Sequence, residues 1–346
     1  MKVITTLPYH ELRAVPDAAR RIEAAGYDGV SVPENQHEPF LPLAIAAINS
    51  SRIELSTGVA IAFPRSPMVA ANAGWDLQAA SGGRFELGLG SQVKGHNERR
   101  FSVPWSAPAP RMQEYVEAVR AIWKAWETGD DLSYEGKHYQ FTLMTPNFRP
   151  PALDTPPPRI TIAAVGPAML RVAGRVCDGV RLHPFCTRDY LESQVLPEVT
   201  TGLRQQNRGR NSFEISGGGF VCTGPDDEAV ARAVDWVRYR VGFYGSTRSY
   251  WPVFEEHDLL DLGEQLHHLS RTDGWGQMAD LVDDDVVRLF AAVGRHDQIA
   301  AAVEERFGGV VDAVTTGAAV PGSVDLPPDV IEDIQRIPTP SAAGLL

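Results

Sequence analysis

The chain has 346 residues, 43% of them hydrophobic and 22% charged, an ordinary globular balance with enough apolar material for a large core. Its formal net charge of −12 counts against a nucleic-acid partner, because phosphate affinity needs clustered Lys and Arg, yet a small anionic cofactor needs only a local nest of donors. No apolar run approaches the roughly 18 residues of a membrane helix and the first residues show no leader-like pattern, so a soluble, cytoplasmic protein with no membrane partner is expected.

Val3 to Leu7 reads as a first strand. Leu12, Val15, Ala19, Ile22 and Ala25 recur at spacings of three and four, predicting a helix over 11–25 that Gly26 stops. Gly29 to Val32 is a second strand, 39–48 a helix, and Ile53 to Ala62 a third strand. Ser66-Pro67 starts the next helix, since Ser can cap and Pro lacks a donor that a first turn leaves unused. Ser81-Gly82-Gly83 ends it, and Phe85 to Leu89 is the fourth strand. An irregular stretch, 90–110, precedes an amphipathic helix marked by Met112, Tyr115, Val119, Ile122, Trp123 and Trp126. A second irregular stretch, 127–158, contains a hairpin at Tyr134 to Tyr139 and closes on Pro156-Pro157-Pro158. The alternation then resumes: strand Ile160 to Val165, helix Pro167 to Val176, strand Gly179 to Leu182, helix 190–204 and strand Phe213 to Cys222. Pro225-Asp226-Asp227-Glu228 opens a helix with acids at its positive end, further helices fall between Phe254 and Phe307, and Val310 to Thr315 is the last strand.

About eight strands with helical crossovers between them predict a single-domain (β/α)8 TIM barrel over 1–346, with an open doubly wound sheet as the alternative. The segments 91–110 and 127–158 are longer than ordinary connections and are expected to lie over the site. Cys177, Cys186 and Cys222 show neither disulfide nor zinc spacing, and the histidines show no metal-ligand pattern, so no metal is expected.

A barrel builds its site at the C-terminal ends of its strands. Those tips carry Pro33-Glu34-Asn35-Gln36-His37, Ser56-Thr57-Gly58-Val59, Gly88-Leu89-Gly90-Ser91-Gln92, Ala163-Ala164-Val165-Gly166-Pro167 and Arg181-Leu182-His183-Pro184. Gly88-x-Gly90 lacks the third glycine of a dinucleotide fingerprint. Gly58 within a strand marks a bulge or a close backbone approach. Val165-Gly166-Pro167 exposes backbone N–H groups at a helix start, where an anion can bind. His183, at a strand tip beside Arg181, is a candidate catalytic group.

Together these motifs, with Ala25-Gly26-Tyr27-Asp28-Gly29-Val30, Gly82-Gly83-Arg84-Phe85-Glu86-Leu87-Gly88-Leu89-Gly90, Tyr134-Glu135-Gly136-Lys137-His138-Tyr139 and Ala173-Gly174-Arg175-Val176-Cys177-Asp178-Gly179-Val180, run in order along almost the whole chain. In that order the chain resembles the luciferase-like monooxygenase superfamily, and within it the branch that uses the deazaflavin coenzyme F420. The resemblance implies a cofactor site of Asn35, Thr57, Gly58, Val59, Gly90, Ser91, Gln92, Ala164, Val165 and Gly166. Gly58-Val59 matches a bulge with a non-proline cis peptide behind the ring, and Ala164, Val165 and Gly166 match the loop that holds the phosphate-bearing tail.

One departure stands out. Where deazaflavin sugar-phosphate dehydrogenases of the superfamily carry a His and a Glu for proton transfer, this chain has Asn35 and, by ungapped alignment, Val93. Glu34, His96 and His183 are the nearest titratable replacements, and His183 and Glu34 are taken as the catalytic pair. The function implied is hydride transfer between F420 and a small organic substrate. The alternatives are an FMNH2-dependent monooxygenase in the same pocket, or a protein that holds the deazaflavin without turnover. A homodimer is the common assembly among similar proteins.

Overall fold

The computed structural model describes residues 1–316 and 325–341. Eight parallel strands close into a barrel: β1 Lys2–Thr6, β2 Gly29–Val32, β3 Glu54–Thr57, β4 Phe85–Gly90, β5 Arg159–Ala164, β6 Gly179–Leu182, β7 Glu214–Gly217 and β8 Ala313–Thr315. Neighbours pair in chain order, β1 pairs with β8, and Leu55 and Ser56 of β3 pair with Phe85 and Glu86 of β4. The open-sheet alternative is therefore excluded.

Three differences from the sequence expectation have local causes. The third strand is interrupted: Gly58-Val59 is a cis peptide, and the chain resumes pairing with β4 at Ala60–Ile61. The expected strand 213–222 breaks at Gly217 and Gly218, both at positive φ, so that Phe220–Gly224 leaves the barrel. It pairs in parallel with Ala291–Arg295, which lies where only helix was expected. Finally, the stretch 90–110 includes a short helix, Lys94–Arg99.

Helices cover the outside. Ser66 caps Pro67–Ser81 by accepting from the Met68 N–H, and Asp226 and Asp283 cap two later helices in the same way. Trp123 and Trp126 are buried on the helix Pro108–Thr128 and pack on the helix Pro67–Ser81, where Trp123 Nε1 donates to Ala71 O at 3.0 Å and Trp126 meets Trp75 edge-on. The three cysteines are buried free thiols.

The lower barrel interior is polar. Lys2 pairs with Glu54 and Glu214, Arg159 with Glu214, and Arg181 with Glu86 at 2.6 Å. Burial alone would raise the Glu214 carboxyl, but Lys2 and Arg159 hold it well below its usual range. Arg181 turns down into this network, donating to Thr161 Oγ1 at 3.1 Å and Glu86 at 2.6 Å, and so does not join His183 at the tip of β6.

Candidate active site

The site forms where the interrupted third strand meets its neighbours. The Gly58 N–H donates to Val32 O at 2.8 Å, the Glu34 N–H to Val59 O at 3.3 Å, and the Ala62 N–H to Gly90 O at 2.9 Å. Beneath, the Thr57 hydroxyl donates to Gly88 O at 2.7 Å and accepts from the Gly88 N–H at 2.9 Å. The backbones approach so closely that side chains have no room. A Cβ on Gly88 would sit 2.0 Å from Thr57 O, one on Gly90 2.5 Å from Val59 Cγ2, and one on Gly58 1.9 Å from Ser31 Oγ. The Gly88-x-Gly90 signal thus records close packing of one strand against the bulge.

Above the bulge opens a cavity of about 570 Å³, within the size range of small-molecule sites. Gly58, Val59, Gly90, Ser91, Gln92, Val165, Gly166, Asn35, Glu34 and His183 all border it, so the turns read from distant parts of the chain do converge. Ile61, Pro108, Ala109 and Met169 give it an apolar wall. Two expected members do not border it. Thr57 is fully buried with its hydroxyl committed to Gly88, so it holds the bulge from beneath. Ala164 faces the core, and strand alternation puts Ala163 in the cavity wall instead.

His183 stacks on Tyr250 (centroids 4.7 Å apart) and meets Tyr244 edge-on at 4.4 Å. Its Nδ1 accepts from the Phe185 N–H at 3.0 Å, which leaves the proton of the neutral ring on Nε2. Burial, then the nearby Arg240 guanidinium, pushes its pKa down to about 4, so the ring is a neutral donor at physiological pH. Tyr250 also lines the cavity. Sequence reasoning missed it; the available signal was the run of aromatics Tyr239, Phe243, Tyr244, Tyr250, Trp251 and Phe254.

Glu34 is differently placed from what a proton donor needs. Its carboxylate takes both guanidinium nitrogens of Arg65, at 2.6 and 3.0 Å, and the Ile61 N–H at 2.7 Å. Those bonds fix it as a strut that ties the β2 tip to the bulge. His96 lies on the 94–99 helix outside the cavity wall.

The two long segments part company. Residues 91–110 do reach the mouth: Asn97 donates to Ser91 O at 2.9 Å and Arg100 to Asn35 O at 2.5 Å. Residues 127–158 do not border the cavity. Their hairpin packs the half-buried Tyr139 against Tyr115 and Arg111 on the outer helix, and the chain then runs under Trp75 and Gln78, which donate to Pro151 O and Pro156 O. This segment therefore lies against the outer helices and contributes no residue to the cavity lining.

A closed parallel barrel with an apolar cavity at its strand tips has the layout of a barrel enzyme. The chain belongs to the luciferase-like monooxygenase family, whose pattern matches residues 2–313. It is 46% identical over 314 residues to an uncharacterized protein of Mycobacterium tuberculosis, covering 91% of this chain and 92% of that one. It is 28% identical over 318 residues to an oxidoreductase of the same organism named as coenzyme F420-dependent, covering 86% and 89%. Among solved structures, the coenzyme F420 dependent tetrahydromethanopterin reductase of Methanopyrus kandleri superposes with a TM-score of 0.77 over 97% of both chains, at 20% identity.

Proposed function

We propose that this chain is an F420-dependent oxidoreductase that moves a hydride between the deazaflavin and a small organic substrate. The observation that carries the reading is the apolar cavity at the strand tips that Gly58-Val59, the Gly166 turn and His183 all border. The relative named as coenzyme F420-dependent supports the deazaflavin over FMN.

The residues present fit such a group. Gly166 has ordinary extended backbone, and a Cβ there would meet nothing within 4 Å, so the fold itself does not demand glycine. The bare turn at the start of the Pro167–Val176 helix is space for a phosphate to approach the N–H groups of Gly166 and Ala168. Val59, Ile61, Ala163 and Met169 exclude water from the ring's surroundings, while Asn35, Ser91 and Gln92 offer polar contacts to its edge. Gln92 is held at φ 55°, a left-handed conformation uncommon outside glycine and concentrated at functional sites.

When bound, the deazaflavin supplies or accepts the hydride. His183 then donates its Nε2–H to a substrate oxygen and polarises it, as a fixed dipole that needs no protonated imidazolium. Glu34 and Arg65 keep the β2 tip and the bulge in register beneath it.

The test is an anaerobic assay of F420 absorbance against a panel of small alcohols and carbonyl compounds, run beside an oxygen electrode with reduced FMN. Substrate-dependent F420 turnover without oxygen uptake supports the proposal. Oxygen consumption with reduced FMN replaces it with monooxygenation. Tight F420 binding without turnover on any compound makes the chain a deazaflavin-holding protein.

A further inference from the structure

A second cavity, of about 300 Å³, lies behind the tips of β6 and β7 and shares no residue with the first. Three guanidinium groups border it, Arg188, Arg288 and Arg306, against two carboxylates, Asp189 and Glu305. Arg306 is the unusual member. It is 7% exposed, at the end of the helix Ile299–Phe307. Its Nη2 donates to Cys186 O at 2.6 Å and to Gly218 O at 2.9 Å, clasping the segments that follow β6 and β7. Its Nε and Nη1 have no partner.

Arg181 closes its donors on Glu86 and Arg210 on Asp312, whereas Arg306 has no acid partner and leaves two nitrogens idle, one more than Arg240. A buried cation with two idle N–H groups and no carboxylate is costly as it stands, and an anion relieves that cost. The Thr187 hydroxyl, 2.7 Å from His257 Nε2, adds a polar group on the same wall. Burial leaves the Arg306 guanidinium with a pKa of about 10, so it stays charged at neutral pH.

We infer that this second cavity binds a small oxyanion, phosphate or the phosphate end of a small metabolite, with Arg306 as the buried donor and Arg188 and Arg288 completing the positive wall. A guanidinium presents its N–H groups in a planar fork that matches phosphate oxygens, and a phosphate has acceptors enough for several forks at once. Arg188 is already paired with Glu192 at 2.9 Å, so Arg306 and Arg288 are the cations left to meet a ligand, which suits a small anion rather than an extended acidic chain. The inference stands apart from the cofactor reading, because neither cavity's lining enters the other's argument.

Calorimetric titration of the full chain with inorganic phosphate, and separately with glycerol 3-phosphate, tests it. Saturable binding is expected, weakened about tenfold by Arg288→Ala, an exposed position that leaves the core intact, and by Arg306→Gln. Tighter binding of the ester identifies a metabolite's phosphate as the natural occupant, and equal or weaker binding identifies the free ion. No saturable heat with the wild-type chain, or binding that both substitutions leave unchanged, overturns the proposal; the second result would place the anion in the main cavity.

Discussion

His183 is useful because its protonation is settled by its surroundings. The Phe185 N–H occupies Nδ1, the stacked Tyr250 and the edge-on Tyr244 withdraw the ring from water, and Arg240 opposes a second positive charge. As a neutral donor it should impose no step on kcat/KM near pH ~6.5, where an ordinary imidazole titrates. His183→Phe, which keeps the stacking but removes the N–H, should lower kcat/KM by roughly 10²-fold, in line with loss of one preorganised donor. A wild-type profile with a sharp break near that pH would contradict this role. Gly88 makes a second residue-level claim. Gly88→Ala puts a methyl 2.0 Å from Thr57 O and 3.0 Å from Arg181 Nε, so the bulge must shift. The expected cost is about 3 kcal/mol in denaturant unfolding, the upper part of the range for overpacked cores.

At the scale of elements, the Glu34–Arg65 pair joins the β2 tip to the segment after the bulge. The Glu34 side chain is 8% exposed and that of Arg65 18%, so the pair is largely withdrawn from water. Arg65→Leu leaves the carboxylate without its cation and should destabilise the fold by about 3 kcal/mol, with weaker cofactor binding in the same variant. Unchanged stability by thermal melt would show that solvent or Ile61 alone suffices. The helix behind the phosphate turn is set by another close approach. A Cβ on Gly174 would lie 2.3 Å from Val199 O, and one on Gly202 2.2 Å from Arg171 O, so helices Pro167–Val176 and Leu196–Arg204 touch through glycine. Gly174→Val should therefore push the first helix, move the Gly166 turn and cost cofactor affinity as well as stability. These contacts also explain which parts were legible in the sequence. Period and caps mark helices and strands locally, so the barrel and the Gly58, Gly90 and Gly166 turns could be read. Thr57 could not be separated from Gly58, since only the fold shows its hydroxyl meeting Gly88. Ala291–Arg295 becomes a strand only because Phe220–Gly224 lies beside it, a pairing across some seventy residues that no local pattern encodes.

For the molecule as a whole, titration of buried groups sets the acid limit. The lowered pKa of His183 means that the unfolded chain binds more protons below the ordinary imidazole value, so its contribution is complete above pH ~6.5 and is lost toward its folded value of about 4. The lowered Glu214 carboxyl acts in the same direction at lower pH, present above its ordinary value and lost as protons displace Lys2 and Arg159. Thermal melts should show stability falling as pH drops below about 6.5; a flat curve down to pH ~4 would contradict the buried placement of His183. The cavity's location at the strand tips was foreseeable from barrel topology, whereas its aromatic wall was not, because Tyr250 comes from a long helical segment whose packing against His183 is tertiary. The most direct measurement is a side-by-side fluorescence and absorbance titration of coenzyme F420 and FMN against the wild-type chain and Gly88→Ala. Micromolar or tighter binding of F420, with FMN weaker and both lost in the variant, is the predicted result. Binding no better than millimolar for both, or binding indifferent to the bulge, would contradict the assignment of this cavity to a flat heteroaromatic cofactor.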